Sequence, residues 1–289
     1  MKRKTSLRIY IAFLLIVLLV FYVFDTRLLC VQYEFDSPKV DKELRFAVVA
    51  DLHSCSYGTR QHRLVKEIEK YSPDAVFLVG DFFDDVKEDE GSICLLQELS
   101  GFDLYYVSGN HEWWSGRMYE MFDCVEEYGA TTLRGDTCFF EINGQIFSVS
   151  GIDDPQTDVY DDSFLNWSEQ LEKASESTEK NVFSILLSHR PEKTSEYKDA
   201  GFDLVISGHA HGGQFRVPYI LNGLYAPNQG FAPKYAGGQY DLDGTKLVVS
   251  RGLAKETTRL PRVFNRPELV FITVKLRGKN GQNNSQKTN

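Results

Sequence analysis

The chain has 289 residues, 42% of them hydrophobic and 25% charged, an ordinary globular composition whose length allows one large domain or two small ones. Its formal net charge is -9, and the first 24 residues carry four cations (Lys2, Arg3, Lys4, Arg8) and no acid, so the remainder is more acidic still. That balance argues against a nucleic-acid groove over the surface but leaves room for a locally positive pocket.

The chain opens with MKRKTSLR, followed by sixteen uncharged residues from Ile9 to Phe24. This run is slightly short of the roughly 20 residues that span a bilayer, and longer than a typical signal-peptide apolar region. DTRLLCVQYEF comes next, with no small-residue cleavage pattern and with bulky Leu29 before Cys30. Residues 1–25 therefore read as an uncleaved transmembrane signal-anchor rather than a cleaved signal. The cations before the apolar run leave the N-terminus cytoplasmic and the remainder extracytoplasmic, a single-pass protein of the cell membrane. Residues 26–43 read as a polar stalk.

From residue 44 short apolar runs alternate with amphipathic stretches. LRFAVVA (44–50), DAVFLVG (74–80), DLYYVSG (103–109), FSILLSH (183–189) and FDLVISG (202–208) have the length and β-rich content of buried strands. RQHRLVKEIEKY, GSICLLQEL and SGRMYEMFDCVEEY read as helices between them, the alternation of an α/β domain. TCFFEINGQIFSVSG carries Asn-Gly between two β-rich halves, a hairpin signal, and KLVVSRGL and ELVFITVKL add strands. The domain spans 44–276, and the polar tail 277–289 is expected to be disordered. The five cysteines, Cys30, Cys55, Cys94, Cys124 and Cys138, form no CxxC pair and no regular framework.

The ends of these strands carry the chemistry. VVADLH ends in Asp51 and His53, FLVGD in Asp81, VSGNH in Asn110 and His111, LLSH in His189, and VISGHAH in His209 and His211. In open α/β sheets ligands bind at the carboxyl ends of strands, so these segments can converge on one crevice. The remaining histidine, His62, shares a helix face with Lys66 and Glu69, opposite the stripe of Leu64, Val65 and Ile68, and reads as solvated. Carboxylate, carboxamide and imidazole without thiolate suit Mn, Fe or Zn. So many such groups exceed the needs of one ion, whereas two ions sharing a carboxylate use them well and can clamp both oxygens of an in-line phosphoryl displacement.

The ordered set DLH, GDFFD, GNHE, SHRPE and GHAHGGQ resembles the calcineurin-like metallophosphoesterase superfamily. With the segment RLPRVFNRPELVFITV it is more closely similar to the membrane-anchored, YkuE-like branch. The resemblance implies a four-layer αββα sandwich of two mixed β-sheets flanked by helices, here preceded by one N-terminal transmembrane helix. It implies one metal held by Asp51, His53, Asp81 and His211, and a second sharing Asp81 and adding Asn110, His189 and His209. The nucleophile would be a metal-bridging hydroxide. His111 would stand beside the phosphate as donor or general acid, oriented by Asp84, and Glu112 would be structural.

Arg190 and Arg251 are candidate substrate ligands through bidentate oxyanion recognition, with a plain surface role as the other reading. Trp113 and Trp114 suit either a pocket wall or packing. The loop LNGLYAPNQGFAPKYAGGQY (221–240), beside the last motif, is the candidate specificity loop. The expected activity is hydrolysis of a phosphodiester, phosphomonoester or pyrophosphate, with lipid-linked and cell-envelope phosphoesters among the candidate substrates. Two alternatives accompany it: a pyrophosphatase of nucleotide-linked lipids of the UDP-diacylglucosamine type, and a non-catalytic membrane-anchored scaffold. The sequence leaves the oligomeric state, the native metals and the substrate open.

Overall fold

Residues 2–142, 144–257 and 260–276 are described by the structure, a computed structural model. In chain order it runs α1 (Lys2–Val23), β1 (Leu29–Ser37), β2 (Leu44–Val49), α2 (His62–Tyr71), β3 (Ala75–Val79), α3 (Glu90–Leu99), β4 (Leu104–Val107), α4 (Asn110–Trp114), α5 (Met118–Glu127), β5 (Ala130–Thr132), β6 (Thr137–Ile142) and β7 (Gln145–Gly151). It continues with α6 (Thr157–Tyr160), α7 (Trp167–Glu176), β8 (Phe183–Leu187), α8 (Thr194–Asp199), β9 (Leu204–Ser207), β10 (Tyr225–Ala226), β11 (Gly230–Phe231), β12 (Gly238–Leu242), β13 (Thr245–Val249), β14 (Glu256–Thr257), β15 (Leu260–Pro261) and β16 (Glu268–Leu276).

Two six-stranded mixed sheets carry the fold, in the orders β1-β16-β2-β3-β4-β5 and β12-β13-β9-β8-β7-β6. β2, β3, β4 and β5 run parallel, as do β7, β8, β9 and β13. Their central strands are apolar on both faces, because each sheet is covered on both sides. Phe46 and Phe77 of one sheet meet Phe147 and Ile185 of the other in the core between the sheets. Outside the first sheet Leu64, Ile68, Leu95 and Val125 of α2, α3 and α5 close a second core. Trp167 and Leu171 of α7 and Tyr197 of α8 cover the other sheet. His62 is exposed. Five free cysteines and no disulfide are present among the described residues.

The N-terminal region departs from its reading twice. The stretch taken as a stalk contains β1, paired in parallel with β16 from Leu29↔Glu268 to Ser37↔Leu276. LCVQYEFDS alternates half-buried and exposed positions along its length, the period-2 signature of a sheet strand, and residues 29–37 form the edge of the first sheet.

The apolar run lies in α1, yet no helix among the described residues is long and apolar enough to cross a membrane. Sixteen uncharged residues rise about 24 Å as α-helix, against a hydrocarbon core of about 30 Å. The single-pass anchor is therefore not sustained, and the extracytoplasmic placement that depended on it has no support here. The helix instead meets the domain at its C-terminal end, where the Phe264 N–H donates to Val23 O at 2.8 Å and the Tyr22 and Phe264 rings lie 5.6 Å apart. The tail 277–289 lies outside the described residues.

Candidate metal centre

Because β2, β3 and β4 run parallel in one sheet and β8 and β9 in the other, their carboxyl ends open on the same edge of the sandwich. The loops leaving them stay tied across the site: Asp51 N–H donates to Gly80 O and His53 N–H to Asp81 O, at 3.0 and 2.9 Å. Five of the residues singled out from sequence, Asp51, His53, Asp81, His209 and His211, have φ between 47° and 66°. Non-glycine residues rarely adopt this left-handed conformation, and its clustering at one place marks strain retained for a purpose. Gly109 accommodates the crowding, since a Cβ there would lie 2.3 Å from Asp81 Oδ1.

Three groups of side chains have donor atoms within 4.8 Å of one another, one of them His53, Asp84 and His111 at the rim, and the other two lying deeper: Asp51, His53, Asp81 and His211, and Asp81, His189 and His209. Asp81 belongs to both of the deeper groups. Its Oδ2 is 3.2 Å from His189 Nε2 and 3.6 Å from His53 Nε2, and His211 Nε2 is 3.4 Å from Asp51 Oδ1. Asp81 Oδ1 and Asp51 Oδ1 are each engaged from outside, by the His111 and His209 backbone N–H groups at 2.9 and 2.8 Å. Among the described residues Asp51 Oδ2, His53 Nε2, Asp81 Oδ2, Asn110 Oδ1 and His189 Nε2 are buried with no hydrogen-bond partner.

Such a convergence of orphaned acceptors is costly unless a cation satisfies it. This set of oxygens and imidazole nitrogens fits divalent Mn, Fe or Zn. Outer contacts set the rings: His189 Nδ1 donates to Val79 O at 2.9 Å, which leaves Nε2 as the acceptor, and His53 Nδ1 faces Asp84 Oδ2 at 3.2 Å.

Charge follows this geometry. Burial opposes ionisation of Asp81, but His189, His111 and His53 outweigh it and hold Asp81 well below the usual carboxylate range. Burial, helped by the Asp81 charge and opposed by His189, pushes Asp51 up to about 6. Burial likewise opposes charge on His189, yet Asp81 and Asp51 raise it to about 10. His209 and His211 are pushed well below the ordinary imidazole value by burial, reinforced by Arg190 and His53 respectively.

A pH dependence follows for metal-stripped protein. His189 has a folded-state pKa above its unfolded value near 6.5, so its stabilising contribution is complete below about pH 6.5 and is lost as pH rises through about 10. His209 and His211, shifted the other way, add no dependence above about 6.5. Stripped protein is expected to lose thermal stability steadily from about pH 7 to 10. The metal-loaded form, with His189 neutral throughout, is expected to lose much less. Melting curves of both forms across that range provide the check, and parallel curves would contradict it.

Several sequence expectations are revised by contacts. Asp84 was expected to orient His111, but His111 Nδ1 donates to Asp85 Oδ1 at 2.6 Å, while Asp84 Oδ2 faces His53 Nδ1. Burial works against charge on His111, and Asp81 and Asp85 overcome it and raise its pKa. Arg190, a candidate substrate ligand, is engaged by protein partners. Its Nε and Nη2 grip Asp154, and its Nη1 reaches Asn228 Oδ1 at 2.6 Å and His209 Nε2 at 2.8 Å. Arg251 lies outside the cavity, ion-paired with buried Glu268 at 2.8 Å. Trp113 packs in the core, its Nε1–H donating to Ser108 Oγ at 3.0 Å.

Glu112 is structural, accepting from the backbone N–H groups of Asp81, Phe82, Phe83 and Gly109. Sequence reasoning missed Asp85, hidden beside Asp84 in an acidic run, and Asn228, for which no local pattern gave a signal. Trp114 lines the cavity over the ligand groups, together with Tyr225 and Pro227 from the 221–240 loop.

A model of the family described as calcineurin-like phosphoesterase matches residues 44–213. An uncharacterized metallophosphoesterase of Campylobacter jejuni is 30% identical over 250 residues, covering 82% of this chain and 61% of that protein. The uncharacterized metallophosphoesterase YkuE of Bacillus subtilis is 27% identical over 237 residues, covering 78% of this chain and 77% of YkuE. The structure of Haemophilus influenzae NAD nucleotidase is similar in fold, with TM-score 0.50 and 17% identity, over 73% of this chain and 45% of that one. The chain thus spans about three fifths of the Campylobacter relative and under half of the nucleotidase.

Proposed function

Because the chain belongs to the calcineurin-like phosphoesterase family, we propose that it is a hydrolase of phosphoric esters working at two divalent cations, Mn, Fe or Zn. The observation that carries this reading is the pair of ligand groups sharing Asp81, edged by buried acceptors that lack partners among the described residues. Asp51, His53, Asp81 and His211 would hold one ion, and Asp81, Asn110, His189 and His209 the other. Bound there, the ions would neutralise phosphate oxygens and acidify the attacking water.

The chain's own residues supply the rest. His111, half-buried at the mouth of the site, holds a proton for the departing alcohol oxygen, and Asp85 orients the ring through Nδ1. Asp84 orients His53, and Arg190 with Asn228 brackets His209 from the side of Nε2. A non-catalytic scaffold would have no need to retain a complete, strained and desolvated ligand set.

The test is hydrolysis of bis-p-nitrophenyl phosphate and p-nitrophenyl phosphate by the full chain, stripped of metal and reloaded with Mn, Zn or Mg. Turnover restored by metal is expected, and its absence in protein carrying two ions per chain would overturn the reading. The two acidic neighbours separate in a second experiment. Asp85→Asn is expected to lower kcat about 10- to 100-fold with metal content unchanged, because it disturbs only the proton donor. Asp84→Asn is expected to weaken metal affinity by about 10- to 100-fold, as loss of a carboxylate behind a ligand histidine does. Equal effects of both on metal content would refute the separation.

A further inference from the structure

Hydrolysis breaks a P–O bond, adds water oxygen to phosphorus and returns a proton to the departing alcohol, so the alcohol needs a place of its own beside the metals. The cavity over the ligand groups has a volume of about 600 Å³, far more than a phosphate fills. Three separate segments supply its outer lining: Val86 after β3, Trp114 of α4, and Tyr225 with Pro227 around β10.

These side chains are large, apolar and left in water: Val86 is 86% exposed, Tyr225 50% and Trp114 46%. Phe231, 78% exposed, lies edge-on to Tyr225 at 5.4 Å and carries the apolar surface outward. An apolar patch at the rim of a polar site marks a surface that something apolar covers.

Charge narrows the occupant. Besides His111, the cation among the described residues lining the cavity is Lys87, and its ammonium is 3.6 Å from the Asp84 carboxylate. Asp84 and Asp85 line the same space. Arg190 is spent on Asp154, and Arg251 on Glu268. Among the described residues lining the cavity, Asp84 and Asp85 thus offset Lys87 and His111, so a polyphosphate is disfavoured. Val86 and Pro227 line the same wall as the two aromatics and suit an aliphatic chain.

We propose that the substrate is a phosphoester of a large, uncharged aliphatic alcohol, laid along Val86, Trp114 and Tyr225 with its phosphate at the metal centre. This rests on the phosphoesterase reading. The test is calorimetric binding of methyl-, butyl- and octylphosphonate to the metal-loaded full chain, which reports even if the protein turns nothing over.

Octylphosphonate is expected to bind at least about tenfold more tightly than methylphosphonate, since each methylene taken from water contributes up to about 0.8 kcal/mol. The octyl-to-methyl ratio is expected to collapse in the Trp114→Ala and Tyr225→Ala variants. A ratio near one in the wild type would overturn the proposal while leaving the hydrolase reading intact. Thymidine monophosphate binding more tightly than octylphosphonate would overturn it in favour of a base-stacking wall. Failure of every phosphonate to bind metal-loaded protein would count against the metal centre as a phosphate site, and so against both readings.

Discussion

Asp81→Asn is expected to cut turnover of a phosphoester by about a thousandfold or more and to reduce the bound metal below two ions per chain. Asp81 is the one carboxylate common to both ligand groups. Its Oδ1 is already taken by the His111 N–H at 2.9 Å, while its buried Oδ2 faces His53 and His189. An asparagine conserves the shape but removes the charge. Whichever way it turns, it must either present its amide to the metals or lose the His111 contact. Metal ions supply several kcal/mol of transition-state charge stabilisation, and each 1.36 kcal/mol is tenfold in rate, hence the size of the loss. Metal analysis and steady-state kinetics on the same preparation provide the check. A variant that kept two ions and a rate within tenfold of wild type would show that the bridging role belongs elsewhere.

Glu112→Gln is expected to destabilise the protein by about 3 to 5 kcal/mol although Glu112 touches no substrate. Its carboxylate is fully buried and gathers four backbone donors. Oε2 accepts from Asp81 and Gly109 at 3.0 and 2.9 Å, and Oε1 from Phe82 and Phe83 at 2.6 and 3.0 Å. Burial and the neighbouring Asp81 charge push Glu112 up to about 7, against the pull of those donors. In glutamine one oxygen becomes an amide, which in either orientation points its hydrogens at two N–H groups. Two buried hydrogen bonds to a charged acceptor are lost, each worth about 1.5 to 3 kcal/mol.

At about 2 to 4 °C per kcal/mol for a domain of this size, the melting temperature is expected to fall by roughly 10 °C. Metal affinity is expected to fall with it, because the same carboxylate fastens the loop bearing Asp81 to the start of the helix bearing Asn110. Urea unfolding with and without metal measures both effects. A change under about 1 kcal/mol would mean that the four amides find other partners.

Much of this was legible in the chain itself. The strands at 44–50, 74–80, 103–109, 183–189 and 202–208 were readable because a strand buried on both faces must be apolar throughout, and they lie within a residue or two of β2, β3, β4, β8 and β9. The candidate ligands were readable because each follows such a strand directly, and parallel strands deliver their ends to one edge. β1 was overlooked because its alternation of Leu29, Val31, Tyr33 and Phe35 with Cys30, Gln32 and Glu34 was masked by the polar residues that an edge strand shows to solvent. The apolar run before it was read as an anchor despite falling short of a full span, and its rise of about 24 Å is what decides against a crossing.

By itself, then, the sequence determined the α/β alternation and which residues converge at the site, since both depend on local pattern and on the chain direction of parallel strands. Only the tertiary structure decided which carboxylate serves which imidazole. Asp84 and Asp85 are neighbours in sequence, but Asp84 turns to His53 and Asp85 to His111. Arg190 and Arg251 were chemically equal candidates until Asp154 and Glu268 captured them across 36 and 17 residues. β1 became part of a sheet only by meeting β16 from the far end of the chain. In each case the deciding partner is remote in sequence, and the direction of a side chain is set by packing that no local pattern encodes.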